Sequence, residues 1–229
     1  MGAIAVALTD DGPMTSDTRV PVVQAERSAI SDTLIALGPD APTLCEPWRT
    51  RDLAAHLVLR EHNPFLATGI WFAPLEGRME RGQASIASGD YPALVERVRS
   101  GPPWWAPTHL DRVDALFNTA ELVIHHEDAL RGDGAVGPRR EVPERTARAV
   151  LNALRRSGSL MFRRAGVQVR LVAPGAEPIT AGKGDSVVTV TGAPVELLLL
   201  ASGRMRVAAV ELDGSPGAVE TLRNARLGV

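Results

Sequence analysis

The sequence predicts an α+β protein, a helical bundle followed by a small mixed unit, and three observations carry that reading. Between residues 17 and 165, apolar side chains recur at three- and four-residue spacing between Gly and Pro stops, the period of helices with one buried face. Beyond residue 166 the pattern changes to alternation, in the segments 167–172 and 187–191, the period of strands. Hydrophobic residues make up 45% of 229 positions while cysteine occurs once, so the fold must rest on a packed core and not on disulfides.

Each element has its own signal. Residues 1–16 are polar and contain Gly and Pro, and are expected to be a disordered lead. A first helix runs from about Asp17 to Leu37, with Val23, Ile30, Leu34 and Leu37 at helical spacing and Gly38-Pro39 as its stop. A second runs from Thr50, as N-cap, to about His62. Asp52 sits in its first turn, where the helix dipole favours an anion, and Asn63-Pro64 ends it. Residues 65–89 give conflicting signals: Phe65 to Phe72 suits a helix, whereas Gly77, Gly82 and Gly89 suit a loop. Asp90 caps a short helix from Tyr91 to Ser100, with Pro92 in its first turn. Residues 101–107, GPPWWAP, form a stiff aromatic connection.

Long helices are expected over about Asp111–Arg131 and Pro143–Arg164, stopped by Gly132 and Gly166. After the two strands come a short apolar helix from Pro194 to about Ser202, a strand over Arg206–Leu212 and a helix over Pro216–Arg226. The expected organisation is therefore a lead (1–16), a helical bundle (17–165) and a small α+β domain (166–229).

Composition narrows the function. The 25 basic residues against 27 acidic ones leave a net charge of −2, with no basic excess to release counterions from a phosphate backbone, so nucleic acid is not expected as a partner. Charge is uneven along the chain: residues 1–150 hold 15 basic and 21 acidic side chains, net −6, and residues 151–229 hold 10 and 6, net +4. All five histidines lie in the first region. The lone Cys45 points to a reducing compartment. The start has neither a signal peptide's basic residues nor its apolar length, and Leu197–Ala201 is too short to span a bilayer, so a soluble cytoplasmic protein is expected. Only Lys183 among the basic residues is a lysine, a bias that GC-rich codons explain and that suggests a high-GC bacterium.

The chemically informative helix reads DRVDALFNTAELVIHHEDALR. At about 100° per residue, Asp114, Asn118, Glu121, His125 and Asp128 form one narrow stripe. Amphipathic helices ordinarily turn such a stripe to solvent. Here it contains no Lys or Arg, and Phe117, Ile124, Leu122 and Ala129 border it on both sides, as if it faced a bundle interior. Glu121 and His125, at i and i+4, can share a cation if a neighbouring helix supplies a third ligand. His56, in the apolar stretch LAAHLVL, is the leading candidate, with His62, His109 and His126 as competitors. The set His56, Glu121 and His125 leaves coordination positions open, as catalytic zinc sites do. Cys45 lies in a loop bounded by Pro and Trp without an assigned base, and reads as a small hydrophobe rather than a nucleophile. Trp48, Trp104 and Trp105 are candidates to line a pocket, and Asp128 to orient a ligand.

These residues sit in stretches that resemble a known family. Residues 38–57, GPDAPTLCEPWRTRDLAAHL, together with NTAELVIHHED at 118–128, look like the mycothiol-dependent maleylpyruvate isomerase-like group of the DinB superfamily. The later GAPVELLLLASGR at 192–204 is similar to that group's C-terminal domain, and within the group the chain looks most like an actinobacterial metal-binding branch. The resemblance implies a DinB-like up-down four-helix bundle, a divalent metal, typically zinc, and mycothiol as thiol cosubstrate. Position by position, it carries the metal ligands onto His56, Glu121 and His125, and a catalytic arginine onto Arg204.

A thiol on such a metal loses its proton near neutral pH, and an arginine beside it can hold a substrate carboxylate. Addition of that thiolate to an electron-poor carbon leads either to a conjugate or, after rotation and elimination, to a cis–trans isomer. The expected function is thus a thiol transferase or isomerase acting on a small electrophile, and the rival is a non-catalytic protein that binds a metal or small ligand. Two departures stand out: Pro47 replaces the Gly usual before the Trp, and the short C-terminal unit puts in question whether Arg204 reaches the site.

Overall fold

The computed structural model describes residues 21–62, 76–102 and 111–228. Among the described residues six helices come first: α1 (Val22–Leu37), α2 (Thr50–His62), α3 (Glu76–Ala87), α4 (Tyr91–Ser100), α5 (Asp111–Leu130) and α6 (Glu144–Met161). The chain then forms β1 (Gln168–Val172), β2 (Ile179–Gly182), β3 (Val187–Gly192), α7 (Pro194–Ala201), a 3-10 turn (Met205–Val207), β4 (Val210–Asp213) and α8 (Pro216–Asn224). The expected α+β class is what is found, with helices and a small sheet segregated along the chain. The lead expected over residues 1–16 lies outside the described residues.

Local chemistry accounts for most boundaries. Val23, Ile30 and Leu34 of α1 are buried, while Leu37, expected on the same face, is exposed because α1 ends there. Gly38 terminates α1 at φ 75°, and its N–H donates to the Leu34 carbonyl at 3.1 Å. Thr50 does not act as the side-chain acceptor of an N-cap. It is itself the first residue of α2, and its hydroxyl donates to the Gly38 carbonyl. The carboxylate of Asp52 accepts from the Arg49 N–H at 2.9 Å in its place. Asp90 accepts from the Ala93 N–H at 3.0 Å and caps α4, as its position predicts.

The loop expected around Gly77 and Gly82 is corrected to α3. Two glycines cost that helix about 1 kcal/mol each relative to alanine, but tertiary contacts offset the cost. Gln83 and Ala87 are buried, the Gln83 amide donates to the Asp52 carbonyl (3.2 Å), and Arg51 donates to the Ala87 carbonyl (3.1 Å).

The sheet order is β2-β1-β3-β4, with β1 and β3 parallel and the outer pairs antiparallel. Strand β2, with only four residues, is too short for its alternation to stand out in the sequence. The strand expected over Arg206–Leu212 is shorter and later. Its first part is a 3-10 turn whose Val207 carbonyl accepts from Arg131 (2.9 Å) and from the Gly137 N–H (3.2 Å), so it joins the helical part rather than the sheet ladder.

Two apolar cores meet along α5. Leu122 and Ala129 enter one with α1, α2 and α4, while Val123 and Ile124 enter the other with α6, α7 and the sheet. At the C-terminal end of α5, charges are buried between them. Arg131, 0% exposed, donates to Glu127 (2.8 Å), to both oxygens of Glu196 on α7 (2.6 and 3.1 Å) and to the Val207 carbonyl. Arg140 continues the chain, bonding Glu127 at 2.9 Å and Glu26 of α1 at 2.6 Å. Just beyond α5, a Cβ on Gly132 would lie 2.0 Å from the Pro42 carbonyl oxygen, so only glycine lets the 39–49 loop sit against this end of the helix.

Replacing Arg131 by Ala leaves Glu196 as a buried charge without its cation, while Glu127 retains Arg140. Arg131→Ala is expected to cost about 3–5 kcal/mol, read as a fall in the urea midpoint at unchanged slope.

Candidate metal centre

Helix α2 presents His56, and α5 presents Glu121 and His125 one turn apart. The two imidazoles meet edge to face, with centroids 5.1 Å apart and planes at 70°. His125 Nε2 lies 3.6 Å from Glu121 Oε2, and one donor atom from each of the three residues falls within 4.8 Å of the others. The other His125 nitrogen, Nδ1, is 2.9 Å from Asp128 Oδ2. Its hydrogen bond to that carboxylate leaves Nε2 as the nitrogen turned towards Glu121 and His56. Trp48 covers another side of His56, ring centroids 4.9 Å apart. Arg60, one turn beyond His56 on α2, donates to Asn118 Oδ1 (2.6 Å) and places Nε 3.8 Å from Glu121 Oε2.

The polar stripe of α5 is not a solvent face. Asn118, His125 and Asp128 are buried, and Glu121 is partly so, its side chain 37% exposed. His126, about 100° around the helix from His125, turns to α1 instead, where it lies 2.8 Å from both Glu26 Oε1 and Thr33 Oγ1. His109, Trp104 and Trp105 lie outside the described residues, as do the side chains of His62 and Asp114.

A second cluster shares His125. Cys45 Sγ donates to Asp128 Oδ2 at 3.1 Å, and Cys45, His125 and Asp128 also bring donor atoms within 4.8 Å of one another. Arg204 reaches this point from the C-terminal unit: Nε donates to Asp128 Oδ1 (3.0 Å), and NH2 to Oδ2 (2.8 Å) and to Cys45 Sγ (3.4 Å). The guanidinium already supplies the positive charge this carboxylate needs, and a metal ion there would have to displace it. In the His56–Glu121–His125 group Arg60 approaches only Glu121, at 3.8 Å, and two imidazoles and a carboxylate are a donor set that fits a divalent cation. A cavity of about 220 Å³ opens elsewhere, between Glu127, Arg131, Arg140 and the start of α7, and includes none of these three residues.

The two imidazoles differ in their acid–base state. Burial, reinforced by repulsion from His125, lowers the His56 pKa to about 3, so His56 is a neutral imidazole at pH 7. Burial works to raise the Glu121 pKa, but the His125 hydrogen bond and the charge of Arg60 outweigh it and hold it at about 2. Burial likewise opposes a proton on His125. Hydrogen bonds to Asp128, Cys45 and Glu121 outweigh it, and the pKa stands well above 6.5. Asp128 is held well below the usual carboxylate range: burial is exceeded by the bonds from His125 and Arg204.

Arg60 and Cys45 are the neighbours that the sequence reading did not place at the site. Arg60 had a signal, its i+4 spacing from His56. Cys45 had none, because 83 residues separate it from Asp128.

No family profile and no curated protein matches the chain by sequence. Among solved structures, the fold is similar to the crystal structure of the mycothiol-dependent maleylpyruvate isomerase, with a TM-score of 0.53 and 16% identity over 89% of this chain and 97% of that one. The shared fold is a helical domain with a small C-terminal α/β part. At this identity the likeness is one of fold.

The two imidazoles should titrate in opposite senses in metal-free protein. His56 is depressed, so it stays neutral and costs stability as pH falls below 6.5 towards 3. His125 is raised, so its contribution is fully present below 6.5 and is lost as pH rises through its higher folded value. NMR of labelled imidazoles should find His56 uncharged at pH 5 and His125 still charged at pH 7; a charged His56 at pH 5 contradicts the geometry.

Proposed function

We propose that this chain is a metal-dependent enzyme that brings a low-molecular-weight thiol, mycothiol or a close equivalent, to a small electrophilic substrate, by transfer or isomerisation. The observation that carries the reading is the convergence of His56, Glu121 and His125, with His125 oriented by Asp128. Two imidazole nitrogens and one carboxylate are a donor set that catalytic zinc takes, and the group has three members among the described residues, short of the four a closed structural site wants. A divalent cation held there supplies the charge that keeps a bound thiol ionised at neutral pH.

The chain's own residues supply the rest. His56 is neutral and needs to lose no proton to become a ligand, whereas His125 must give one up. Trp48 packs against one side of His56. Arg60 places a positive charge beside Glu121 that draws an anionic substrate group to the site. The fold likeness to a mycothiol-dependent isomerase supports the thiol and the reaction class. The near-absence of lysine agrees with a high-GC, actinobacterial source, and the free Cys45 agrees with a reducing, cytoplasmic setting. Among the described residues, no helix is long and apolar enough to cross a membrane.

Metal analysis of the purified protein is expected to find about one divalent ion per chain, lost in His125→Ala and in His56→Ala. Incubation with metal, thiol and a panel of electrophiles should consume thiol only when metal is present. Equal metal content in wild type and His125→Ala overturns the site, and bound metal without thiol consumption across the panel leaves a binding protein.

A further inference from the structure

Asp128 is the point at which three separate segments of the chain meet. It is itself on α5, three residues after His125. The loop that leads into α2, and so to His56, reaches it twice, through the Cys45 thiol at Oδ2 and through the Leu44 N–H, which donates to the Asp128 carbonyl at 3.0 Å. The C-terminal unit reaches it through Arg204.

The placement of Arg204 follows from how α7 ends. The Gly203 N–H donates to the Leu200 carbonyl (3.0 Å) and the Arg204 N–H to the Leu199 carbonyl (2.8 Å), with Gly203 at φ 86°. This is the Schellman ending of a helix, in which a left-handed glycine folds the next residue back across the last turn. Arg204 is that next residue. Its NH1 donates to the Ser202 carbonyl at 2.7 Å, while Nε and NH2 face the two Asp128 oxygens as a fork. Each of its side-chain nitrogens therefore has a protein partner. The edge of the guanidinium that would clamp a substrate carboxylate is filled by Asp128.

We propose that Arg204 is a positioning residue: by clamping Asp128 it fixes the His125 ring with Nε2 turned to Glu121 and His56, so that docking of the C-terminal unit completes the metal centre. The proposal rests on the assignment of His56, Glu121 and His125 as metal ligands. Its physical core is that a buried carboxylate holds a ligand imidazole in one orientation only if the carboxylate is itself held. Among the described residues Asp128, 0% exposed, has one charge partner besides His125, and that partner, Arg204, comes from the C-terminal unit between β3 and β4.

The test compares wild type, Arg204→Gln, Arg204→Lys, Asp128→Asn and His125→Ala, with neither thiol nor substrate present. Zinc affinity is read by competition with a chromogenic chelator, coordination by the visible spectrum of the cobalt(II)-loaded protein, and folding by the melting temperature of the metal-free forms. Arg204→Gln and Asp128→Asn are expected to weaken zinc binding by about 10–100-fold and to alter the cobalt spectrum, as loss of an outer-shell partner does. Arg204→Lys, which keeps the charge without the fork, should fall between them and wild type. If Arg204→Gln does not fold, the lysine variant is read by the same criteria. Wild-type zinc affinity and an unchanged cobalt spectrum in the Arg204 variants, with only a raised KM in the thiol assay, would make Arg204 a substrate clamp and overturn the proposal. Zinc binding that is also unchanged in His125→Ala would instead remove the metal site on which it rests.

Discussion

The last turns of α5 carry His125, His126, Glu127, Asp128 and Arg131 into the interior, and the fold tolerates this only because each meets a partner on a different element. His126 turns to Glu26 and Thr33 on α1, Glu127 to Arg131 and Arg140, Asp128 to the 39–49 loop and Arg204, and Arg131 to Glu196 on α7. An unpaired charge at any of these positions would cost several kcal/mol, of the order of the whole stability of a typical domain. Satisfying them all admits one relative placement of α1, the 39–49 loop, α5 and α7. The metal candidates follow from that placement, since His125 is the first residue of this buried run and the loop it fixes leads directly to His56.

Charge crosses the junction in both directions. The N-terminal region sends Arg131 to Glu196, and the C-terminal region sends Arg204 to Asp128. The two bridges start three residues apart, at Asp128 in α5 and at Arg131 just past its end, so the small unit is held at two points. An apolar interface alone, such as that of α6 with α7 and the sheet, would allow sliding; directional ion pairs set the register. The opposite net charges of the two regions are thus partly the residue of this exchange, although most of the surplus arginines remain on the surface.

The site's acid–base state has the same origin. His56 and His125 have ring centroids only 5.1 Å apart, yet their pKa values move in opposite directions. The difference is made by neighbours: His56 has Trp48 and a second imidazole beside it, while His125 lies between Glu121 and Asp128. On the proposed metal assignment, the proton on His125 would have to leave for a cation to bind, so metal affinity would depend on pH.

Helix positions, the switch from a period of 3.6 to a period of 2 after residue 166, the stop at Gly38 and the cap at Asp90 were legible along the chain, because they depend on a few adjacent residues. So was the pairing of Glu121 with His125, a matter of one helical turn. Helix α3 was not legible, because the contacts that outweigh Gly77 and Gly82 come from α2. Strand β2 is stabilised by its pairing with β1 more than by its own four residues. That His56 lies beside the pair, and that Cys45 and Arg204 meet at Asp128, are facts of the tertiary structure alone. Those contacts span 83 and 76 residues, and short-range periodicity holds no record of distances that exist only once the helices have packed.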